Sequence, residues 1–317
     1  MKVLVTGATG FIGHSVARRF AAGGAEVFAL VRAPADRLDL PGVSAIEGDL
    51  ADRASLDAIA KLPDLDVLCH LAADTRMDAS PEDLEANVTG TTNLLASIGE
   101  HLRGGRVLYA SSIAAVDRAG RPRGPLTDED APSPRTAYGL SKLRGEEVLQ
   151  AEARARNFAL TSLRLGTVYG PGATKGGVLQ LAEAVAAGSL AARIRWPGRI
   201  SFVHVEDVAE VFWRLADRDE ALPGAFLTAE DRGYSMAELA EILRRVKGAA
   251  KGPLPVPVAC LKLGGVVLSL PGIRRLAPWS LRCALMDTIL CDPSRLTDAL
   301  DMSWIPLSEG VERTYSP

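Results

Sequence analysis

A chain of 317 residues, 47% hydrophobic and 24% charged, is long enough to bury one large α/β domain or two closely packed lobes, and it excludes a disordered polymer. Its 36 basic and 39 acidic residues are spread throughout and leave a formal net charge of −3, so neither a field nor a basic tail draws DNA or RNA. Four cysteines, Cys69, Cys260, Cys283 and Cys291, show no C-x-x-C spacing, which argues against a disulfide framework or a metal site and fits a reducing cytoplasm.

Val3 to Val5 form an apolar strand that runs into Thr6-Gly7-Ala8-Thr9-Gly10-Phe11-Ile12-Gly13. This glycine-spaced turn opens an amphipathic helix, with Phe11, Val16 and Phe20 inward and His14, Arg18 and Arg19 outward. Thr6 and the glycines interrupt the apolar run too early for a signal-peptide core, so none is expected. One glycine permits backbone angles that a side chain forbids, a second lets the chain approach a ligand, and a third lets helix pack on strand. The helix then aims its free amides and positive dipole end at an anion, the arrangement of a diphosphate site.

From there strand and helix alternate. Strands are predicted at 2–6, 26–31, 43–46, 66–70, 106–110 and 159–164, and helices at 11–22, 54–60, 82–102 and 137–156. That order predicts an α/β fold with a doubly wound parallel sheet, helices on both faces and ligand loops gathered at the carboxyl edge. Beyond Leu165 the alternation breaks up into helices at 177–187, 206–217, 235–247, 257–270 and 278–290, with strands near 202–205 and 225–228. The expected division is a dinucleotide-binding domain, residues 1–165 completed by segments near 201–230, and a smaller, mostly helical substrate lobe, residues 166–200 and 231–317. The apolar stretch 254–270 is too short and too interrupted by Pro255, Pro257 and Lys262 to span a bilayer. It reads as a packed helix of the lobe, or else as a wall or lid for an apolar substrate or an interfacial membrane contact.

The second strand ends in Val31 and then Arg32, where NAD-binding folds commonly place an acid that grips the adenosine 2′-hydroxyl. An arginine there, with Arg37 in the same loop, forms charge-assisted bonds to a 2′-phosphate and favours NADP over NAD. Ser111-Ser112 closes the fifth strand, and Tyr138-Gly139-Leu140-Ser141-Lys142 opens a helix. Four residues make one helical turn, so phenol and ammonium share a face. A nearby positive charge lowers a tyrosine pKa from about 10 toward working pH, which lets Tyr138 pass a proton to or from a substrate oxygen. Ser112 can hydrogen-bond that same oxygen. His70 and His204, in apolar strand contexts, read as packed, hydrogen-bonded histidines, and Asp207 as a cap or first-turn acid.

These motifs, together with Gly48-Asp49-Leu50, His70-Leu71-Ala72-Ala73, Asn87-x-x-Gly90-Thr91, Tyr169-Gly170-Pro171-Gly172 and Phe202-Val203-His204-Val205-Glu206-Asp207, resemble the extended branch of the short-chain dehydrogenase/reductase superfamily along nearly the whole chain. The resemblance implies a Rossmann sheet, Tyr138 as general acid/base, Ser112 orienting a carbonyl, and Lys142 holding the nicotinamide ribose and lowering the tyrosine pKa. It places the dinucleotide against Gly7, Thr9, Gly10, Phe11, Ile12 and Gly13, against Asp49 and Leu50 at the adenine, and against Leu71, Ala72 and Ala73 beside the ribose. Leu165, Thr167 and Val168 would flank the nicotinamide, and Asn87 would shape a helix bend and proton relay. Leu165 stands where relatives often carry proline, and Val116-Asp117 replaces the usual tyrosine-glycine.

Relatives that process nucleotide sugars carry an arginine and an aspartate where this chain has Ile200 and Ser201, and Arg199, one place earlier, points to the opposite strand face. The reading is therefore an NADP-dependent oxidoreductase, with NAD as second choice. It moves hydride between nicotinamide and a carbonyl or secondary alcohol of a relatively apolar small molecule, as in the 3β-hydroxysteroid dehydrogenase and dihydroflavonol reductase groups. The alternatives are a nucleotide-sugar epimerase or dehydratase using the same Ser/Tyr/Lys site, and a non-enzymatic dinucleotide sensor. The resemblance also implies a homodimer through helices 82–102 and 137–156.

Overall fold

β1 (Lys2–Thr6), β2 (Glu26–Val31), β3 (Val43–Glu47), β4 (Val67–His70), β5 (Arg106–Ser112), β6 (Ala159–Leu165) and β9 (Gly224–Thr228) lie side by side in the order β3-β2-β1-β4-β5-β6-β9, every pair parallel. The computed structural model describes residues 1–32, 38–76, 79–116, 124–249, 251–257, 259–261 and 288–316. Strand alternation sends Val3 and Val5 to one face, where α1 (Phe11–Ala22) and α5 (Val205–Asp217) bury Val16, Phe20, Val208 and Phe212 against them. Leu4 points to the other face and joins Leu68, Val107 and Tyr109 under Leu94, Leu95 and Leu149 of α2 (Pro81–Ile98) and α3 (Ala137–Arg156). The doubly wound sheet expected from the alternation is thus present. Its order reverses between β1 and β4, the switch point at whose carboxyl edge doubly wound sheets form a ligand crevice.

A second, small sheet sits beyond that edge. β8 (Arg199–His204) pairs in parallel with β7 (Thr167–Tyr169) and β11 (Thr288–Ile289), and antiparallel with β10 (Gly233–Ser235). Of the two late strands expected to complete the main sheet, only β9 does so. It fills the position beside β6, and β8 belongs to the small sheet instead. α4 (Gly177–Ala186), α6 (Met236–Lys247) and α8 (Leu307–Tyr315) pack round β8 through Val178, Leu239, Leu243 and Val311. A capping box between Ser235 and Glu238 starts α6.

Three further differences have local causes. The helix expected over 54–60 is two 3₁₀ turns, Arg53–Leu56 and Ile59–Lys61, in which Leu56 and Ile59 bury three residues apart, the 3₁₀ repeat. α7 (Ser294–Leu300) and α8 are seven and nine residues long, too short for a periodicity to declare itself. The helices expected at 257–270 and 278–290 lie largely outside the described residues, and Thr288 and Ile289, at the end of the second, are strand. Among the described residues no helix is long and apolar enough to cross a membrane, and no cluster of His, Cys, Asp or Glu could hold a metal ion.

Candidate active site

At the end of β1 the backbone of Gly7 turns at φ +78°, and a Cβ there would lie 2.8 Å from the Ala72 nitrogen. A Cβ on Gly13 would meet the Gly7 carbonyl oxygen at 2.1 Å, so helix α1 begins in backbone contact with the turn. Gly10 caps that helix without a side-chain hydrogen bond, and its first turn carries no acid. The turn therefore presents amides and a positive helix end to the crevice, a cradle that fits a dinucleotide diphosphate.

Thr6 fastens the facing lip. Its Oγ1 accepts from the amides of Leu71 (3.2 Å) and Ala72 (3.1 Å) and lies 2.8 Å from Nδ1 of buried His70. The Nε2 of His70 is 3.0 Å from Thr91 Oγ1, which itself donates to the Asn87 carbonyl. That commits the Thr91 proton, so His70 donates from Nε2 and accepts the Thr6 proton at Nδ1. Burial and the charge of Lys142 push His70 down to about 3, which keeps it neutral. His204 is likewise packed, its Nδ1 3.4 Å from the Glu206 amide at the start of α5. Asp207 lies in the first turn of that helix and accepts from the Ile305 amide at 2.9 Å.

Ser112 is the last residue of β5, and its Oγ accepts from the Ala114 amide at 3.2 Å. Tyr138 is the second residue of α3, whose N-cap Thr136 accepts from Gly139. A Cβ on Gly139 would stand 2.2 Å from the Ala114 carbonyl oxygen, and this close approach sets the first turn of α3 on the end of β5. There the Ser112 side chain is near enough to the Tyr138 hydroxyl to act on its protonation. The expected lowering of the phenol pKa is reversed. Burial pushes Tyr138 up to about 12, against a smaller downward pull from Ser112. Lys142, one turn on, donates to the Ala110 carbonyl at 2.8 Å and lies 4.9 Å from the centre of the Tyr109 ring, so its charge is directed at β5 and not at the phenol.

The carboxyl edge carries the remaining expected residues in a row. Arg32, exposed, follows β2; the glycine turn follows β1; half-buried Leu71, Ala72 and Ala73 follow β4; Leu165 pairs with Ser112 at the end of β6, with half-buried Thr167 and Val168 beyond it. From β2 to β5 is three strand spacings, about 14 Å. Arg37 lies outside the described residues. The Asp49 carboxylate accepts from Ala51 in its own turn, and Leu50 is held by Asn93, whose side chain donates to its carbonyl at 2.8 Å. Asn87 clamps the 71–76 loop through the Asp74 amide (2.7 Å) and carbonyl (3.0 Å), and donates to Ser141, which donates to the Tyr138 carbonyl. Its contacts thus reach the backbone of Tyr138 and not the hydroxyl.

Sequence reasoning passed over Glu146 and Arg164. They form a buried two-bond pair between α3 and β6, at 3.1 and 2.8 Å, and the Ser111 hydroxyl donates to the same carboxylate at 2.5 Å. The signal was available: Glu146 falls one turn after Lys142, and Arg164 is a charge inside an apolar strand.

Residues 3–227 match the profile of the NAD dependent epimerase/dehydratase family. Among characterised relatives, a 3-diazoavenalumate denitrifying reductase from a Streptomyces species is 35% identical over 276 residues, 82% of this chain and 85% of that protein. A UDP-glucose 4-epimerase of Vibrio cholerae is 28% identical over 324 residues, 98% of this chain and 94% of that protein. The crystal structure of the Thermus thermophilus UDP-glucose 4-epimerase in complex with NAD superposes with a TM-score of 0.78 at 24% identity, covering 99% of this chain and 98% of that one. Replacing Thr6 by valine, which leaves His70 and two amides without their partner, should cost about 2 kcal/mol in denaturant unfolding. Thr6→Ser should restore most of the loss, and equal stability of all three proteins would contradict the network.

Proposed function

Since the chain belongs to the NAD dependent epimerase/dehydratase family, and is thus an NAD(P)-dependent enzyme of the extended short-chain dehydrogenase/reductase kind, we propose that it is a reductase acting on the carbonyl of a relatively apolar small molecule. The observation that carries this reading is the first turn of α3 seated against the end of β5, which brings Tyr138 to Ser112 beside buried Lys142 at the carboxyl edge. Bound nicotinamide dinucleotide supplies the hydride chemistry. Tyr138, with a phenol near 12, is protonated at neutral pH and so is suited to give a proton to a substrate oxygen. Ser112 hydrogen-bonds that oxygen, and Lys142, one turn from the phenol on the same helix, holds the nicotinamide ribose. Gly7, Gly10 and Gly13 admit the diphosphate, and the 71–73 lip flanks the ribose.

The apolar substrate is favoured by the state of β8. Arg199 donates to the Gly233 carbonyl at 2.7 Å and sits 3.7 Å from Glu238, while Ser201 is fully buried and accepts from the Cys291 amide. Ile200, at the position where sugar-nucleotide relatives carry arginine, has no charge to offer a second diphosphate. We assign the substrate to the lobe of residues 166–200 and 231–317, NADP to the exposed Arg32, and the homodimer to the outer faces of α2 and α3, where Leu140 is exposed. The cytoplasm is its expected site of action. The full-length similarity to a UDP-glucose 4-epimerase supports a second reading, epimerisation with the dinucleotide retained. Release of one oxidised dinucleotide per product separates the two.

Tyr138→Phe should cut NADPH oxidation against a panel of apolar ketones and aldehydes by at least about 100-fold and leave NADPH affinity within about threefold. Unchanged turnover would contradict the role. Arg32→Ala should weaken NADPH binding by about tenfold or more, with NADH binding unaffected, in fluorescence titrations. Equal losses for both would show that Arg32 does not read a 2′-phosphate.

A further inference from the structure

Lys142 is the cation on which the proposed chemistry depends, yet it is 3% exposed. Its own helix contributes Tyr138 and Glu146, one turn to either side. β5 contributes the Ala110 carbonyl, 2.8 Å from its Nζ, and the Tyr109 ring. β4 contributes His70, which is neutral, and Arg164 of β6 is paired with Glu146. Among these neighbours Glu146 is the one anion. Its carboxylate accepts from three donors: the Ser111 hydroxyl and the Arg164 Nε and Nη2. Ser111 and Arg164 are strand residues of the main sheet, in register with one another. The carboxylate is thus fixed by two strands at the height of the helix turn that follows Lys142.

We infer that Glu146 is a positioning residue for Lys142: pinned by Arg164 and Ser111, its carboxylate keeps the buried ammonium charged and seated at the strand end where Tyr138 and Ser112 meet. The inference rests on the role given above to Tyr138 and Lys142. Burial drives Lys142 down to about 8, with Glu146 pulling in the opposite direction, so the ammonium is charged at neutral pH with little margin. Losing the carboxylate lowers the pH at which the charge disappears, and with it the hold on a dinucleotide ribose. A triad that merely braced α3 against the sheet would have no such consequence.

Two variants separate the roles. Glu146→Gln leaves Arg164 buried without a counter-charge, and its fold is at risk. The double variant E146Q/R164M removes both charges together and is the informative protein. It is expected to melt near the wild type, while its NADPH affinity, titrated by fluorescence from neutral to alkaline pH, starts to weaken about one pH unit earlier. The alkaline limb of kcat/KM should move by the same amount. A double variant with wild-type pH profiles overturns the inference and leaves Glu146 a brace. A wild type that binds NADPH but reduces no carbonyl sinks the functional reading, while the binding profiles still test Glu146. Direct titration of wild-type Lys142 by carbon NMR, assigned through K142Q, serves if the variants unfold. A midpoint at about 8 is expected, and one below neutrality overturns the inference.

Discussion

The site depends on how closely α3 lies on β5. Three contacts measure that approach: Gly139 over the Ala114 carbonyl, Gly145 against the Tyr109 hydroxyl, where a Cβ would come within 2.4 Å, and the Lys142 ammonium on the Ala110 carbonyl. A side chain at Gly139 would strike the backbone of the turn that follows β5, and one at Gly145 would strike the Tyr109 hydroxyl. Ser112 and Tyr138 are brought together because helix and strand are this near, and the same nearness removes water from the ammonium and screens the phenol from part of it. Desolvation, more than the charge of one neighbour on another, sets the protonation of this site.

A buried cation beside a half-buried phenol is expensive, and the surrounding network shows how the fold compensates. One turn on from Lys142 the same helix supplies an anion that the sheet fixes; beside it, His70 is kept neutral by burial and by the Lys142 charge, and adds no second positive charge. Thr6 also ties the 71–72 backbone, so one hydroxyl serves both the histidine and the lip of the crevice. Asn87 joins that lip to α3 through Ser141, and the lip and the helix bearing Tyr138 are therefore one mechanical unit.

Much of this was legible in the residues. The glycine turn, the alternation through Leu165, and the Tyr138/Lys142 spacing each rest on local geometry that a sequence states directly: backbone freedom, period and helical turn. The small sheet was not legible, because β7, β10 and β11 are two or three residues long and exist through pairing with β8 across distant sequence. The direction of the Tyr138 shift was misjudged for a related reason. Spacing along a helix shows that two groups share a face, but it does not show that the ammonium bends to a strand carbonyl, nor how deeply the phenol is buried. Arg199 illustrates the opposite case. Strand alternation placed it on the face opposite Ile200, and the structure finds it spent on Gly233 and Glu238.

The seating of α3 is tested most directly by Gly139→Ala, because the atom it would strike is a backbone oxygen that cannot swing aside. With the glycine turn untouched, NADPH affinity should stay within a few-fold of wild type, while carbonyl-dependent NADPH oxidation falls by about 100-fold, the cost of a misplacement near 1 Å. Wild-type turnover in a folded Gly139→Ala protein would contradict the account.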